Sequence, residues 1–289
     1  MDQPSSPYRL IDVTPEAHGF GAAVNGVDLA GDLTAEAVAE IRDAWTRHSV
    51  IFFPRQLMDV DDLERFSLRI GPFGHDPYIA PMAGHANVLE VRREADETSS
   101  VFGAAWHSDW SFQATPPAAT ILHGEVIPPV GGDTLYADGY RAWEALSDAM
   151  RATLAPLRAV HSARRAYGLS SPYAKETDRR GMRFLVSPEA EESVSHPLVR
   201  NHPVSGRRSL FVNPVYTVGI EGMTGAEGDA ILKFLFAHMT SDEFVYRHRW
   251  ARRMLTMWDN RCTMHTAQGG YDGHLRVLHR TTVAGETPS

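Results

Sequence analysis

The sequence predicts a mainly β protein with a few helices packed outside a sandwich or barrel core. A series of short apolar runs of strand length is broken by Gly, Pro, Asn and Asp, while only a few segments carry helical spacing. No repeat, low-complexity tract or linker-like stretch interrupts the pattern, so residues 1–289 read as one domain with a sizeable core.

The elements follow in chain order. "TAEAVAEIRDAWTRH" spaces Val38, Ile41 and Trp45 on one helical face, with Thr34 as N-cap. "SVIFF", Ser49 to Phe53, reads as a buried strand that Pro54 ends. After Asp59 a second helix turns Leu63, Phe66 and Ile70 inward, with Gly71 as its C-cap. "AATILHGEVI", "DTLYA", "SLFVN", "MLTMW" and "LRVLHRTTV" are the strand candidates. "TGAEGDAILKFLFAHM" places Thr224 and Glu227 at capping-box spacing ahead of an Ile231/Leu235 stripe. The polar, irregular segment at about 168–193 is long enough to be a lid-like insertion.

Composition narrows the function. The chain carries 36 acidic and 28 basic residues, a formal net charge of -8, which disfavours nucleic-acid binding. No run approaches the roughly 18 apolar residues of a membrane span. The start, "MDQPSSPYRL", lacks the basic and apolar regions of a signal peptide, so a cytoplasmic location is expected. The single cysteine, Cys262, excludes a disulfide framework and a Cys-rich zinc site, and reads as a buried apolar residue. With 14 histidines, only spacing can single out special ones.

"AAWHSDWSF" sets His107 and Asp109 two positions apart between Trp106 and Trp110. In an extended chain these two side chains point the same way and can meet one metal ion. Near the C-terminus His265 follows an apolar run, and "LRVLHRTTV" puts Arg276 and Arg280 on one face of a strand. Surface ion pairs would explain two such arginines. Anionic ligands gripped bidentately are the other explanation. Taken together, two imidazoles and one carboxylate form the facial triad of non-haem Fe(II) oxygenases, and Arg276 supplies a cation for the far carboxylate of a chelating 2-oxo diacid. A zinc hydrolase on the same triad is the remote alternative, but leaves Arg276 without a role.

These motifs resemble the taurine dioxygenase / 2,4-dichlorophenoxyacetate dioxygenase family of Fe(II)- and 2-oxoglutarate-dependent enzymes. The family's His-x-Asp and distal His match His107, Asp109 and His265. An arginine eleven residues after His265 and another four further on match Arg276 and Arg280, and "GGDTLY" supplies Thr134. "NGVDL", "VIFFPRQ", "TPPAATIL" and "WDNRCTMH" extend the likeness over roughly residues 8 to 285. The resemblance implies a double-stranded β-helix (a cupin-like jelly roll), with Fe(II) on His107, Asp109 and His265. It implies 2-oxoglutarate on Thr134 and Arg276, and O2 as oxidant. Oxidative decarboxylation of 2-oxoglutarate to succinate and carbon dioxide would accompany hydroxylation of a substrate C–H bond. Related halogenases lack the metal carboxylate, so Asp109 argues for hydroxylation. Family members often associate, so a homo-oligomer is expected, and the expected partner is a small organic anion.

Arg280 is expected to hold that anion. Taurine-specific members carry a His where "GHDPYIAP" places Asp76, which argues against taurine itself. Asp76 is then either a pocket carboxylate suited to an amine or a solvated turn residue before Pro77. "VRREADETSSVFG", "VHSARRAYG" and "NPVYTVGIEGMT" look more like the aryloxyalkanoate-cleaving members, with alkylsulfonates or alkyl sulfates as the alternative. Ile79, Phe102, Trp110 and Tyr216 are the expected substrate-pocket walls, and Trp106, Phe112 and Trp258 are further candidate apolar walls.

Overall fold

In the computed structural model, residues 7–176 and 180–289 are described. The strands are β1 (Asp12–Pro15), β2 (Ala22–Asn25), β3 (Val50–Phe53), β4 (Leu89–Arg93), β5 (Ala119–Val126), β6 (Thr134–Asp138), β7 (Arg158–Ser162), β8 (Ser193–Pro197), β9 (Val199–Asn201), β10 (Arg208–Leu210), β11 (Thr217–Ile220), β12 (Val245–His248), β13 (Leu255–Asp259), β14 (Thr263–Ala267) and β15 (Arg276–Val283). The helices are α1 (Ala35–His48), α2 (Val60–Ile70), α3 (Gly139–Glu144), α4 (Asp148–Leu154), α5 (Arg164–Tyr167), α6 (Pro172–Glu176) and α7 (Gly225–Met239).

One large sheet runs β1-β2-β3-β13-β5-β15-β4, and two smaller sheets run β12-β6-β14 and β11-β7-β8. The chain alternates between them: β5 and β13 lie in the large sheet, while their successors β6 and β14 lie in a small one. That alternation makes the expected jelly roll, and it brings β14 and β15, far from residue 107 in sequence, to the same end of the barrel.

Local chemistry sets the helix ends. Thr34 Oγ1 accepts from the Ala37 N–H at 3.1 Å and starts α1. Ser49 ends it at φ 61, its N–H donating to Trp45 O, so the strand begins at Val50 rather than at Ser49 as the sequence suggests. Asp59 and Asp62 cap α2 reciprocally. Gly71 follows α2 at φ 175, so left-handed freedom is not its reason for being glycine; a Cβ there would come 2.6 Å from Val283 Cγ1. Thr224 donates its backbone N–H and its hydroxyl to Glu227 at the start of α7. The buried stripe of α7 is Leu232, Leu235 and Met239, with Ile231 half-buried at its edge.

α1 and α2 pack on the large sheet through Ile41, Trp45, Leu63 and Phe66 against Ile51, Phe53, Ile121 and Met257. Each such side chain contributes about 1.5–3 kcal/mol by leaving water. A second core joins α3 and α7 to the smaller sheets around Trp143, Leu198, Leu235 and Phe244. A third cluster is aromatic: Tyr78, Trp110, Tyr167, Phe184 and Tyr216. Within the 168–193 segment the structure places α6, a 3-10 turn at Pro188–Glu191 and a β-bridge from Phe184 to Ile79. Residues 177–179 of the expected lid lie outside the described residues. Among the described residues, no helix is long and apolar enough to cross a membrane.

Candidate metal centre and active site

Two backbone hydrogen bonds assemble the centre. The His107 N–H donates to His265 O at 3.0 Å and the His265 N–H donates to His107 O at 2.8 Å, an isolated bridge that zips the 107 segment onto β14. The chain does not continue as a strand. It turns after the bridge, with Trp110 at φ 48, an uncommon conformation for a bulky residue. His107, Asp109 and His265 thereby become neighbours, all buried, each offering one ligand atom within 4.8 Å of the others. His107 Nε2 lies 3.6 Å from Asp109 Oδ1, and His265 Nε2 lies 3.9 Å from Asp109 Oδ2.

The surroundings prepare these groups to bind a cation. His107 Nδ1 pairs with Ala105 O at 2.7 Å, which fixes the tautomer and leaves Nε2 as the lone-pair nitrogen. Burial pushes the His265 imidazole down to about 3, helped by His107, so it is neutral at physiological pH. Burial alone would raise the Asp109 carboxyl. Arg280, His265 and His107 outweigh it and hold Asp109 far below the usual carboxylate range. Asp109 Oδ2 accepts from Thr120 Oγ1 at 2.6 Å, and Thr120 accepts in turn from Asn260 at 3.0 Å. His265 Nδ1 is buried with no hydrogen-bond partner among the described residues, a polar atom left over at the heart of the site. Two imidazoles and an ionised carboxylate whose ligand atoms lie within 4.8 Å of one another fit Fe(II) in the facial-triad manner.

Arg276 and Arg280 are both buried in β15, at 7% and 3% exposure, which rules out exposed surface ion pairs. Arg280 Nη2 lies 3.1 Å from Asp109 Oδ1 and 3.7 Å from Asp76 Oδ1, and its guanidinium sits 5.0 Å from the Trp110 ring. The contact to Asp109 is close in distance without hydrogen-bond alignment. Arg276 has no carboxylate partner among the described residues. Its Nη2 donates to Gly132 O at 3.2 Å, its Nε has no partner, and Trp250 and Tyr271 flank it at 5.9 and 5.7 Å. Burial lowers its proton affinity. A buried guanidinium with donors to spare is a costly arrangement unless an anion completes it.

The "GGDT" turn that holds Arg276 is packed to its limit. Gly131 has φ +65, and a Cβ there would lie 2.5 Å from Gly270 O. Gly132 has φ +72, and its N–H donates to Gly269 O. Two glycine pairs thus interlock, and the turn delivers the Gly132 carbonyl and Thr134 together.

Two cavities meet at Phe102, Gly103 and His107. One, about 450 Å³, is walled by Thr134, Leu122, Trp258, His265, Arg276 and Arg280. The other, about 350 Å³, is walled by Asp109, Trp110, Tyr167, Tyr173, Val215 and Tyr216. A family model for the taurine catabolism dioxygenase TauD, TfdA family matches residues 12–282. The chain belongs to this family. It is 33% identical to the alpha-ketoglutarate-dependent sulfate ester dioxygenase of Pseudomonas putida, over 98% of this chain and 93% of that protein. It is 34% identical to the alpha-ketoglutarate-dependent 2,4-dichlorophenoxyacetate dioxygenase of Cupriavidus pinatubonensis, over 91% and 94%. Among solved structures, a taurine dioxygenase from Burkholderia xenovorans superposes with TM-score 0.79 at 33% identity, covering 97% of this chain and 93% of that one. AAD-2 in complex with Mn(II) and N-oxalylglycine gives TM-score 0.81 at 28% identity, covering 97% and 99%.

Within this TauD/TfdA-family fold, several expected pocket residues lie elsewhere. Asp76 is neither solvated nor on either cavity wall. Its side chain is 9% exposed and its carboxylate accepts from the Trp110 indole and, at 3.0 Å, from Thr282 Oγ1, so it braces Trp110 and Arg280 from behind. Ile79 is buried one layer back, bridged to Phe184. Trp106 packs on the second core instead of walling the site, and Phe112 packs behind Trp110 and Tyr216. Phe102, Trp110, Tyr216 and Trp258 do line the cavities. Tyr167 and Tyr173, on the wall of the smaller cavity, and Trp250, which donates to Thr134 from behind the wall of the larger one, are neighbours that sequence reasoning missed. The two tyrosines stand six apart at the start of the supposed lid, and that pairing was the available signal. Trp250 had none.

Proposed function

We propose that this TauD/TfdA-family chain is an Fe(II)- and 2-oxoglutarate-dependent dioxygenase that hydroxylates a C–H bond of a small aryl-bearing organic anion, with an aryloxyalkanoate carboxylate as the first choice. His107, Asp109 and His265 would hold the metal, whose bound form supplies dioxygen activation coupled to conversion of 2-oxoglutarate into succinate and carbon dioxide. Arg276 and Thr134 would anchor the cosubstrate's far carboxylate in the larger cavity. The single observation that carries this reading is Arg276: a buried cation without a carboxylate partner among the described residues, in one cavity with His107 and His265. A zinc hydrolase has no use for it.

The chain's own residues do the rest. Phe102, Trp110, Tyr167 and Tyr216 present an aromatic chamber that suits a ring and keeps water from the reacting carbon. Arg280, beside Asp109 and over Trp110, is the cation for the substrate's anionic group. A charge-assisted bidentate contact there contributes about 1.5–3 kcal/mol per hydrogen bond. The 168–193 segment supplies Tyr173 to the chamber wall, consistent with a cover over the substrate. A homo-oligomer in the cytoplasm completes the reading.

A sulfate ester is the second reading, because Arg280 would grip a sulfate as readily as a carboxylate and a relative of that activity aligns over 98% of the chain. The test is an Fe(II)/2-oxoglutarate preparation under nitrogen, mixed with aryloxyacetates, alkyl and aryl sulfates or taurine and then exposed to oxygen. Oxygen uptake matched by succinate and a phenol supports the first reading. Succinate with inorganic sulfate supports the second. No substrate-dependent succinate from any anion refutes both.

A further inference from the structure

We infer that Trp250 is a positioning residue for 2-oxoglutarate, its indole N–H setting the direction in which the Thr134 hydroxyl donates and its ring confining the Arg276 guanidinium. The inference rests on the assignment of Thr134 and Arg276 as cosubstrate contacts. β12 pairs with β6 so that His248 stands opposite Thr134, and two residues further on the chain brings Trp250 beside that threonine. Trp250 Nε1 lies 3.0 Å from Thr134 Oγ1. An indole N–H only donates, so Thr134 Oγ1 is the acceptor in this bond. The threonine's own proton then needs a different acceptor, and none takes it among the described residues. Thr134 is buried on the wall of the cavity that holds Arg276, so an anion placed there is the acceptor the geometry leaves.

The same indole ring lies 5.9 Å from the Arg276 guanidinium, whose Nη2 is held by the Gly132 carbonyl. It limits the swing of a long side chain whose rotamer freedom would otherwise be lost on ligand binding. Trp250 is itself held edge-on by His248, with ring centroids 5.0 Å apart. His248 is pinned at both nitrogens, to Thr256 Oγ1 at 3.0 Å and the Tyr246 hydroxyl at 3.2 Å. One aromatic residue thus prepares both anion-binding side chains before the anion arrives.

The experiment measures 2-oxoglutarate binding to the Fe(II)-loaded protein under nitrogen by equilibrium dialysis, so turnover plays no part. Trp250→Phe keeps an aromatic ring and removes the N–H; its dissociation constant should rise about 5–10-fold. Thr134→Val should rise at least as much. In the Thr134→Val background Trp250→Phe should add less than about twofold, because the partner through which it acts is gone. A Trp250→Phe variant that binds like the parent, or two effects that multiply, overturns the inference. If Trp250→Phe does not fold, benzothienylalanine at position 250 keeps the bicyclic shape without the N–H and should show the same loss; unchanged affinity there is equally fatal. If Thr134→Val and Arg276→Met both bind 2-oxoglutarate normally, the cosubstrate assignment itself falls, a result distinct from failure at Trp250 alone.

Discussion

Arg276→Met should make the ligand-free protein at least as stable as the parent while nearly abolishing its response to 2-oxoglutarate. Arg276 is buried, meets no carboxylate among the described residues, and spends one hydrogen bond on Gly132 O. Replacing a buried charge by an apolar side chain of similar length is often worth about 1–4 kcal/mol. Loss of the Gly132 hydrogen bond and of the contacts to Trp250 and Tyr271 takes back about 1–2 kcal/mol. The net is about −1 to +3 kcal/mol, centred on about 1 kcal/mol in favour of the variant. Against this, two charge-assisted hydrogen bonds to the cosubstrate carboxylate are worth about 3–6 kcal/mol, a loss of about 10² to 10⁴ in affinity. Thermal unfolding of the Fe(II) form under nitrogen reads both quantities at once. At a hundred times its dissociation constant, 2-oxoglutarate should stabilise the parent by about 2.7 kcal/mol, and the variant at that concentration by almost nothing. A variant that unfolds several degrees earlier yet keeps the full ligand-induced rise would mean that Arg276 braces the fold, and the reasoning would be refuted.

His107→Ala should leave the protein unable to retain stoichiometric Fe(II) through dialysis and should abolish succinate formation; full iron content with normal turnover would remove His107 from the ligand set. Gly131→Ala must fit a Cβ against Gly270 O at a left-handed φ, so it should cost about 2–4 kcal/mol in denaturant unfolding and weaken 2-oxoglutarate binding with it. Burial pushes His161 and His248 down to about 3 and His196 to about 4, so the fold holds all three neutral. Their stabilising contribution is complete above the unfolded value of about 6.5 and drains away as pH falls toward the folded values. At pH 5.5 each costs about 1.4 kcal/mol, roughly 4 kcal/mol together, and unfolding curves that coincide at pH 7.5 and 5.5 would contradict this.

The metal triad, both arginines, the capped helices α1, α2 and α7, and the strands β5, β6, β13 and β15 were legible in the sequence, because each is written in local spacing or in a motif. The misplacements share one cause: which side of a wall a residue occupies is decided by partners distant in the chain. Asp76 was located near the pocket correctly along the chain, but only the fold shows that Trp110 and Thr282 consume its carboxylate. Ser49 looked like a strand residue by its apolar successors, yet it takes the positive φ that ends α1. Trp250 was invisible because its importance comes from the β12–β6 register, which pairs residues more than a hundred positions apart.

Arg276 and Arg280 hang from one strand that is laced to β4 on one side and β5 on the other. β4 pairs residue by residue with Arg276 through Arg280, while the register against β5 shifts between Val277 and Leu278, so it is the β4 edge that holds the two arginines at a set spacing. On the reading proposed above, any shift of β15 carries both guanidiniums together, so neither charge is re-aimed alone by a movement of the sheet.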